Sequence, residues 1–148
     1  MIDHLTIIGV GLIGASLSLA LKQAGYVKRV TGCGRSEDSL KKGLQLGVLD
    51  DYNLSMVDAV ADADVIVLAV PLGAMRSVMQ QMAPALAAHS VVTDVGSAKG
   101  SVVEDARVTL GKHSGNFVPG HPIAGTERSG VEAGFASLYH GRKVILTP

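Results

Sequence analysis

Only one cysteine, Cys33, is present among the 148 residues, so no intramolecular disulfide can form and a reducing compartment suits the chain. Charge of one sign is not in excess either: 13 Lys and Arg balance 13 Asp and Glu. With no basic surplus to neutralise a phosphate backbone, nucleic acid is not an expected partner. Long hydrophobic runs are also missing, and the longest fall well short of the roughly 20 apolar residues a membrane-spanning helix needs. The opening residues Met1-Ile2-Asp3-His4 lack the basic, apolar and small-residue order of a signal peptide. The expectation is a cytoplasmic protein that does not meet a membrane. No linker, repeat of solenoid period or low-complexity stretch is present. No spacing of His, Cys, Asp and Glu suggests a metal site, so none is expected.

What is present is a composition of 47% hydrophobic residues with 18 glycines, in a length that suits one domain with one core. Short β-branched runs alternate with longer segments of helical period. Strands are expected at 5–10, 29–33, near Tyr52, and at 65–70, 91–95, 116–118 and 144–146. Helices are expected at 12–24, 36–46, from Ser55 through Val60, and at 72–86 and 100–110. Ser36 and Ser55 read as N-caps, Ser55 with Asp58 as a capping box, and Gly25 and Gly47 as stops. Pro119-Gly120-His121-Pro122 reads as a rigid loop. Strands separated by helices of these lengths imply an α/β fold of Rossmann type, doubly wound, with a mainly parallel sheet and helices on both faces.

Within that frame, Gly9-Val10-Gly11-Leu12-Ile13-Gly14 follows the first strand and opens the first helix, the context a dinucleotide-binding turn requires. Gly9 allows the tight turn, Gly11 lets a pyrophosphate approach the backbone, and Gly14 lets helix and strand pack closely. The N–H groups near Leu12 and Ile13 then face the phosphates, assisted by the helix dipole. An acidic residue about 20 positions beyond the last glycine would hold the ribose 2′-hydroxyl of NAD. That place is taken by Gly34-Arg35-Ser36, which offers a guanidinium and a hydroxyl suited to a 2′-phosphate. The cofactor expected is therefore NADP, with NAD the alternative, and Glu37 and Asp38 close by to offset the attraction. Val70 and Pro71, at the carboxyl end of the fourth strand, and Gly96, after the fifth, complete the expected cofactor site. Cys33 reads as a buried small hydrophobe beside the adenine.

Two further segments lie at strand ends: Asp94-Val95-Gly96-Ser97-Ala98-Lys99-Gly100, and the stretch GHPIAGTERSGVEAG at 120–134. Together with the glycine-rich turn they resemble the prephenate/arogenate (cyclohexadienyl) dehydrogenases of tyrosine biosynthesis. The resemblance runs along the whole chain but covers only the N-terminal part of that family's usual length. It implies oxidative decarboxylation of prephenate or arogenate with NAD(P). By motif, His121 corresponds to the catalytic histidine that takes the ring-hydroxyl proton, and Ser97 to its hydrogen-bonding partner. Both would touch substrate, with Thr126 and Glu127 at the mouth of the substrate site. Independently of the family, hydride can leave a carbinol carbon only as its hydroxyl proton is removed, and an imidazole suits that task near neutral pH.

His4, His89, His113 and His140 read as surface or structural residues, since only His121 is held between Gly120 and Pro122 at the expected ligand edge. Lys99 is open between capping a carbonyl, binding phosphate and simple solvation. The resemblance also implies a helical C-terminal domain that makes a homodimer and supplies basic residues for the substrate carboxylates. That domain has no counterpart here, so the chain by itself is expected to bind cofactor and to be catalytically incomplete. Two other readings are carried forward. One is another Rossmann dehydrogenase of the β-hydroxyacid dehydrogenase or imine reductase type; the other is a non-catalytic NAD(P)-sensing module.

Overall fold

A computed structural model describes residues 1–96, 99–122 and 130–146. Six strands form one parallel sheet in the order β3-β2-β1-β4-β5-β6: β1 Ile2–Ile8, β2 Val27–Cys33, β3 Asp51–Asn53, β4 Val65–Leu68, β5 Val91–Asp94 and β6 Phe117–Val118. The helices α1 Leu12–Gln23, α2 Glu37–Gln45, α3 Met56–Val60, α4 Leu72–Met82 and α5 Gly100–Thr109 connect them. This is the doubly wound order, in which the chain leaves β1 in one direction through β2 and returns on its other side at β4.

The period-2 alternation of β1 divides the core. Leu5 and Ile7 point to a cluster with Ala15, Val30, Leu40 and Val48, under α1 and α2. Ile8 points the other way, to a cluster with Val60, Ile66, Leu68, Met75 and Met79, under α3, α4 and α5. Thr6 lies on that second side, fully buried, and its hydroxyl donates to the Ala59 carbonyl at 2.6 Å. Helices therefore cover both faces, as the alternation of strand and helix patterns predicts.

Several boundaries differ from the sequence expectation. The first strand begins at Ile2, before the polar pair Asp3 and His4. His4 is nonetheless buried, because its Nε2 is 2.7 Å from the Thr31 hydroxyl on the neighbouring strand. The helix expected at 72–86 ends at Met82, and Pro84 falls in a 3₁₀ turn, Ala83–Ala85. Ser36 and Ser55 do cap α2 and α3, accepting from Ser39 N–H and Asp58 N–H. The Ser55 box is not reciprocal, since Ser55 N–H donates to Asn53 Oδ1 instead.

The largest correction concerns residues 119–122. Gly120–Pro122 is not a loop but a strand, β7, paired antiparallel with β8 Val144–Leu146. The last strand thus joins this two-stranded ribbon and not the parallel sheet. Between them, 3₁₀ turns at Val131–Ala133 and Ala136–Tyr139 pack on α1 and α2, which no helical period announces. A Cβ at Gly134 would lie 2.7 Å from Ala15 Cβ, so close approach to α1 requires glycine there. The Tyr139 hydroxyl donates to the Ile13 carbonyl at 3.2 Å, and burial pushes the phenol up to about 12. Among the described residues, no helix is long and apolar enough to cross a membrane.

Candidate functional site

Because the strand order reverses at β1, the connections leaving β1 and β4 diverge and open a crevice at the carboxyl edge of the sheet. The glycine-rich turn sits there, held between neighbours: Gly9 N–H donates to the Cys33 carbonyl at 2.9 Å, and Ala69 N–H to the Ile8 carbonyl at 2.7 Å. Gly9 has φ +91°, and a Cβ on it would lie 2.4 Å from the Ala69 carbonyl oxygen. A Cβ on Gly14 would lie 2.9 Å from both the Gly9 oxygen and Ile7 Cγ2, so helix and strand are in contact at that point. Gly11 is different. Nothing lies within 4 Å of where its Cβ would be, and it is the N-cap of α1 without any side-chain cap. No acidic residue occupies the first turn of α1. The leading N–H groups of the helix, at Leu12 and Ile13, are thus left for an external acceptor.

The crevice is a cleft of about 690 Å³. Of the expected cofactor residues, Gly9, Gly11, Gly34, Arg35, Ser36, Val70 and Pro71 line it. Leu12 and Ile13 lie next to the lining at the start of α1, and Gly14 is buried beneath it. Arg35 is exposed and is the single charged side chain among the described lining residues. Glu37 does not line the cleft. Its carboxylate accepts from the Tyr52 hydroxyl at 2.9 Å and stands 4.0 Å from Lys41 Nζ. Asp38 does not line it either. The Ser36 oxygen that caps α2 keeps its own O–H free to donate. Cys33 lines the floor, and burial raises its thiol pKa, so it stays a neutral apolar contact.

The opposite wall was not anticipated from the sequence. Ala74, Ser77, Val78 and Gln81 from α4 form it, with Leu54 from the β3–α3 connection and Met56 from the start of α3. The spacing of Ala74, Ser77, Val78 and Gln81 places them on one helix face, a signal that the pattern contained. The Gln81 amide donates to Ser77 Oγ at 3.0 Å within this wall.

The second group of expected residues lies beyond β5. Ser97, Thr126 and Glu127 fall outside the described residues. His121 lies in β7, half-buried, with Ile145 as its register partner. It does not line the 690 Å³ cleft. Gly96 does not line the cleft either, and its N–H donates to Asp94 Oδ2 at 2.9 Å. Of the three readings of Lys99, capping a carbonyl is the one the geometry gives: its ammonium donates to the Gly120 carbonyl, and also to Asp94 Oδ2. Of the remaining histidines, His4 and His113 are buried, His89 pairs with Asp64 at 3.1 Å, and His140 is exposed. Among the described residues no group of three His, Cys, Asp or Glu side chains is placed to hold a metal.

The strand order, the glycine turn and the cleft define a nucleotide-binding domain of Rossmann type. Comparison with known proteins narrows this further. The chain belongs to the family described as the prephenate dehydrogenase, nucleotide-binding domain, whose sequence model matches residues 17–148. Cyclohexadienyl dehydrogenase of Zymomonas mobilis is 41% identical over 145 residues, covering 98% of this chain and 49% of that protein. Prephenate dehydrogenase from A. aeolicus, solved with hydroxyphenyl propionate and NAD+, superposes with a TM-score of 0.91 at 37% identity, over 100% of this chain and 51% of the other. Arogenate dehydrogenase of Synechocystis superposes with a TM-score of 0.88 at 28% identity, over 98% and 50%. The chain thus spans about half the length of these relatives.

Proposed function

We propose that this chain is the cofactor-binding half of a dehydrogenase that oxidatively decarboxylates prephenate or arogenate, with NADP preferred over NAD. The nicotinamide would supply the hydride acceptor. The glycine turn and the uncapped N-terminus of α1 receive the pyrophosphate: Gly11 leaves open space where the Gly9 and Gly14 positions are tight. Gly9, Gly14 and the Val70-Pro71 corner shape the cleft, and Leu12 and Ile13 supply amide donors. Gly34, Arg35 and Ser36 hold the adenosine end, with Gly96 on the nicotinamide side. His121 accepts the ring-hydroxyl proton, Ser97 hydrogen-bonds to the same hydroxyl and to the imidazole, and Thr126 and Glu127 border the substrate. Basic groups for the substrate carboxylates, and the homodimer contact, come from the half of the relatives that this chain does not span.

The observation that carries the cofactor preference is electrostatic. Arg35 is the only charged side chain among the described residues of the cleft, while the carboxylate of Glu37 is turned to Tyr52 and Lys41. A 2′-phosphate would meet a guanidinium and a hydroxyl, with no carboxylate lining the cleft to repel it. The test is titration of the 148-residue protein with NADP and NAD, followed by fluorescence, for wild type and Arg35→Asp. The expected result is tighter NADP binding in wild type and a loss of at least about tenfold in the variant, about 1.4 kcal/mol, with NAD changed little. Unchanged NADP affinity in Arg35→Asp would overturn the preference. A prephenate and arogenate assay on protein carrying both halves separates this reading from a β-hydroxyacid dehydrogenase or a sensing module. Turnover lost in His121→Ala supports it, and turnover only of hydroxyacids, or none of any substrate, defeats it.

A further inference from the structure

Asp94 ends β5 with no side-chain exposure at all, and Lys99 retains 17%. The carboxylate holds three donors. Oδ2 receives Gly96 N–H at 2.9 Å and the Lys99 ammonium, and Oδ1 receives Gly120 N–H at 3.1 Å. The Lys99 ammonium donates in addition to the Gly120 carbonyl oxygen. Gly120 is therefore gripped on both its N–H and its C=O by the two halves of one ion pair, immediately before His121. Space around it is used up: a Cβ on Gly120 would lie 3.0 Å from the Asp94 backbone oxygen and 3.3 Å from Thr93 Oγ1.

A stability role alone does not account for this arrangement. A buried ion pair gains little over apolar side chains of the same volume, because desolvation offsets its attraction. What it adds is directional definition, and here all of that direction falls on one peptide segment. β7 has only three residues and one strand partner, β8, whose Val144, Ile145 and Leu146 are each about half exposed. The ribbon by itself would hold His121 loosely, since an isolated two-stranded ribbon is marginal in water. The chain enters β7 from β6, which ends in the main sheet at Val118, and past that point Gly120 is held to β5 by the Asp94 and Lys99 side chains.

We propose that Asp94 and Lys99 are positioning residues that fix the backbone of Gly120 and thereby present the His121 imidazole at the sheet edge. The proposal rests on the reading of His121 as the proton acceptor for its catalytic meaning, but the clamp itself is observable without turnover. In isotopically labelled protein, the Gly120 amide is expected to exchange with solvent at least about 100-fold more slowly than an unprotected glycine amide. Lys99→Gln should raise that exchange rate by at least about tenfold and shift or broaden the His121 ring resonances. It should leave the Gly11 amide resonance unmoved and NADP affinity within about twofold. Lys99→Arg, which keeps the charge and both donors, should restore the wild-type His121 spectrum, a rescue that a general loss of packing would not give. If Lys99→Gln does not fold, Asp94→Leu combined with Lys99→Met replaces it, an apolar pair of similar volume that removes both hydrogen-bonding ends of the clamp. An unprotected Gly120 amide in wild type, or an unchanged His121 spectrum in a folded variant, overturns the clamp. Absence of prephenate and arogenate turnover in protein carrying both halves would instead defeat the functional reading and leave the clamp standing.

Discussion

Gly9 concentrates most of what the nucleotide site demands of a single residue. Its φ of +91° is in the left-handed region, and its Cβ position is filled by the Ala69 carbonyl at 2.4 Å. Gly9→Ala therefore meets conformational strain and a backbone clash together, and a loss of about 2–4 kcal/mol of stability is expected. Urea denaturation would measure it; a loss below about 0.5 kcal/mol would show that the turn can relax. Gly11→Ala behaves differently, because nothing lies within 4 Å of its Cβ. Such a variant should fold normally and lose nucleotide affinity, since the methyl would stand where the pyrophosphate approaches. The three glycines of one motif thus separate into two whose neighbours exclude a side chain and one, Gly11, with open space beside it. The motif and the demand on each glycine were legible in sequence; the neighbours on β1 and β4 add the distances that make Gly9 and Gly14 intolerant of a side chain.

Between α1 and β2, a single carboxylate ties the elements. Asp50, just before β3, accepts from Val30 N–H at 2.7 Å and pairs with Lys22 at 3.0 Å. Burial pushes its pKa up, but the Val30 hydrogen bond and the Lys22 charge outweigh that and hold it below the ordinary carboxylate value. A folded pKa below the unfolded one means that the stabilisation is complete above the ordinary carboxylate range, near about pH 4. It is lost as pH falls from there through the lowered folded value. Melting temperature followed against pH should show an acid limb that is shallower in Asp50→Asn; identical limbs would remove Asp50 from the account. Elements with strong local signals were legible: β4 from its VIVL run, and α2 from Ser36 with Glu37 and Asp38 in its first turn. β7 was not, because Gly120-His121-Pro122 has no β-branched run and one proline. Its strand geometry comes from a partner, β8, more than twenty residues away.

Taken as a whole, the molecule is a sheet with two separately packed faces and a ligand cleft at the one place where the chain reverses direction. The cleft walls come from β1, β2, β4, α4 and the β3–α3 connection, so a bound dinucleotide would bridge both halves of the double winding. Ligand binding to the folded state alone should then stabilise it by mass action, by about 2.7 kcal/mol at 100 times Kd. For a domain of this size that corresponds to a rise of roughly 5–10 °C in Tm. Thermal melts with and without NADP test it, and no shift at saturating nucleotide would contradict the proposed site. Ser97 and His121 stand out in the strand-end motifs of the sequence, but the grip of Asp94 and Lys99 on Gly120 was not legible. Residues 94, 99 and 120 carry no spacing pattern, since they meet only because β5, the start of α5 and β7 converge.

The class of fold, the glycine turn and the lack of an acidic residue at the end of β2 can all be read from the order of residues alone. Each is written in local order: alternation of strand and helix periods, and a motif read against the element before and after it. Packing in three dimensions makes β7 a strand, gives α4 the far wall of the cleft, and turns the Lys99 charge inward to a buried carboxylate. Those outcomes depend on contacts between residues distant in the chain, and the burial that makes an ion pair or a short strand worthwhile exists only once the layers have assembled.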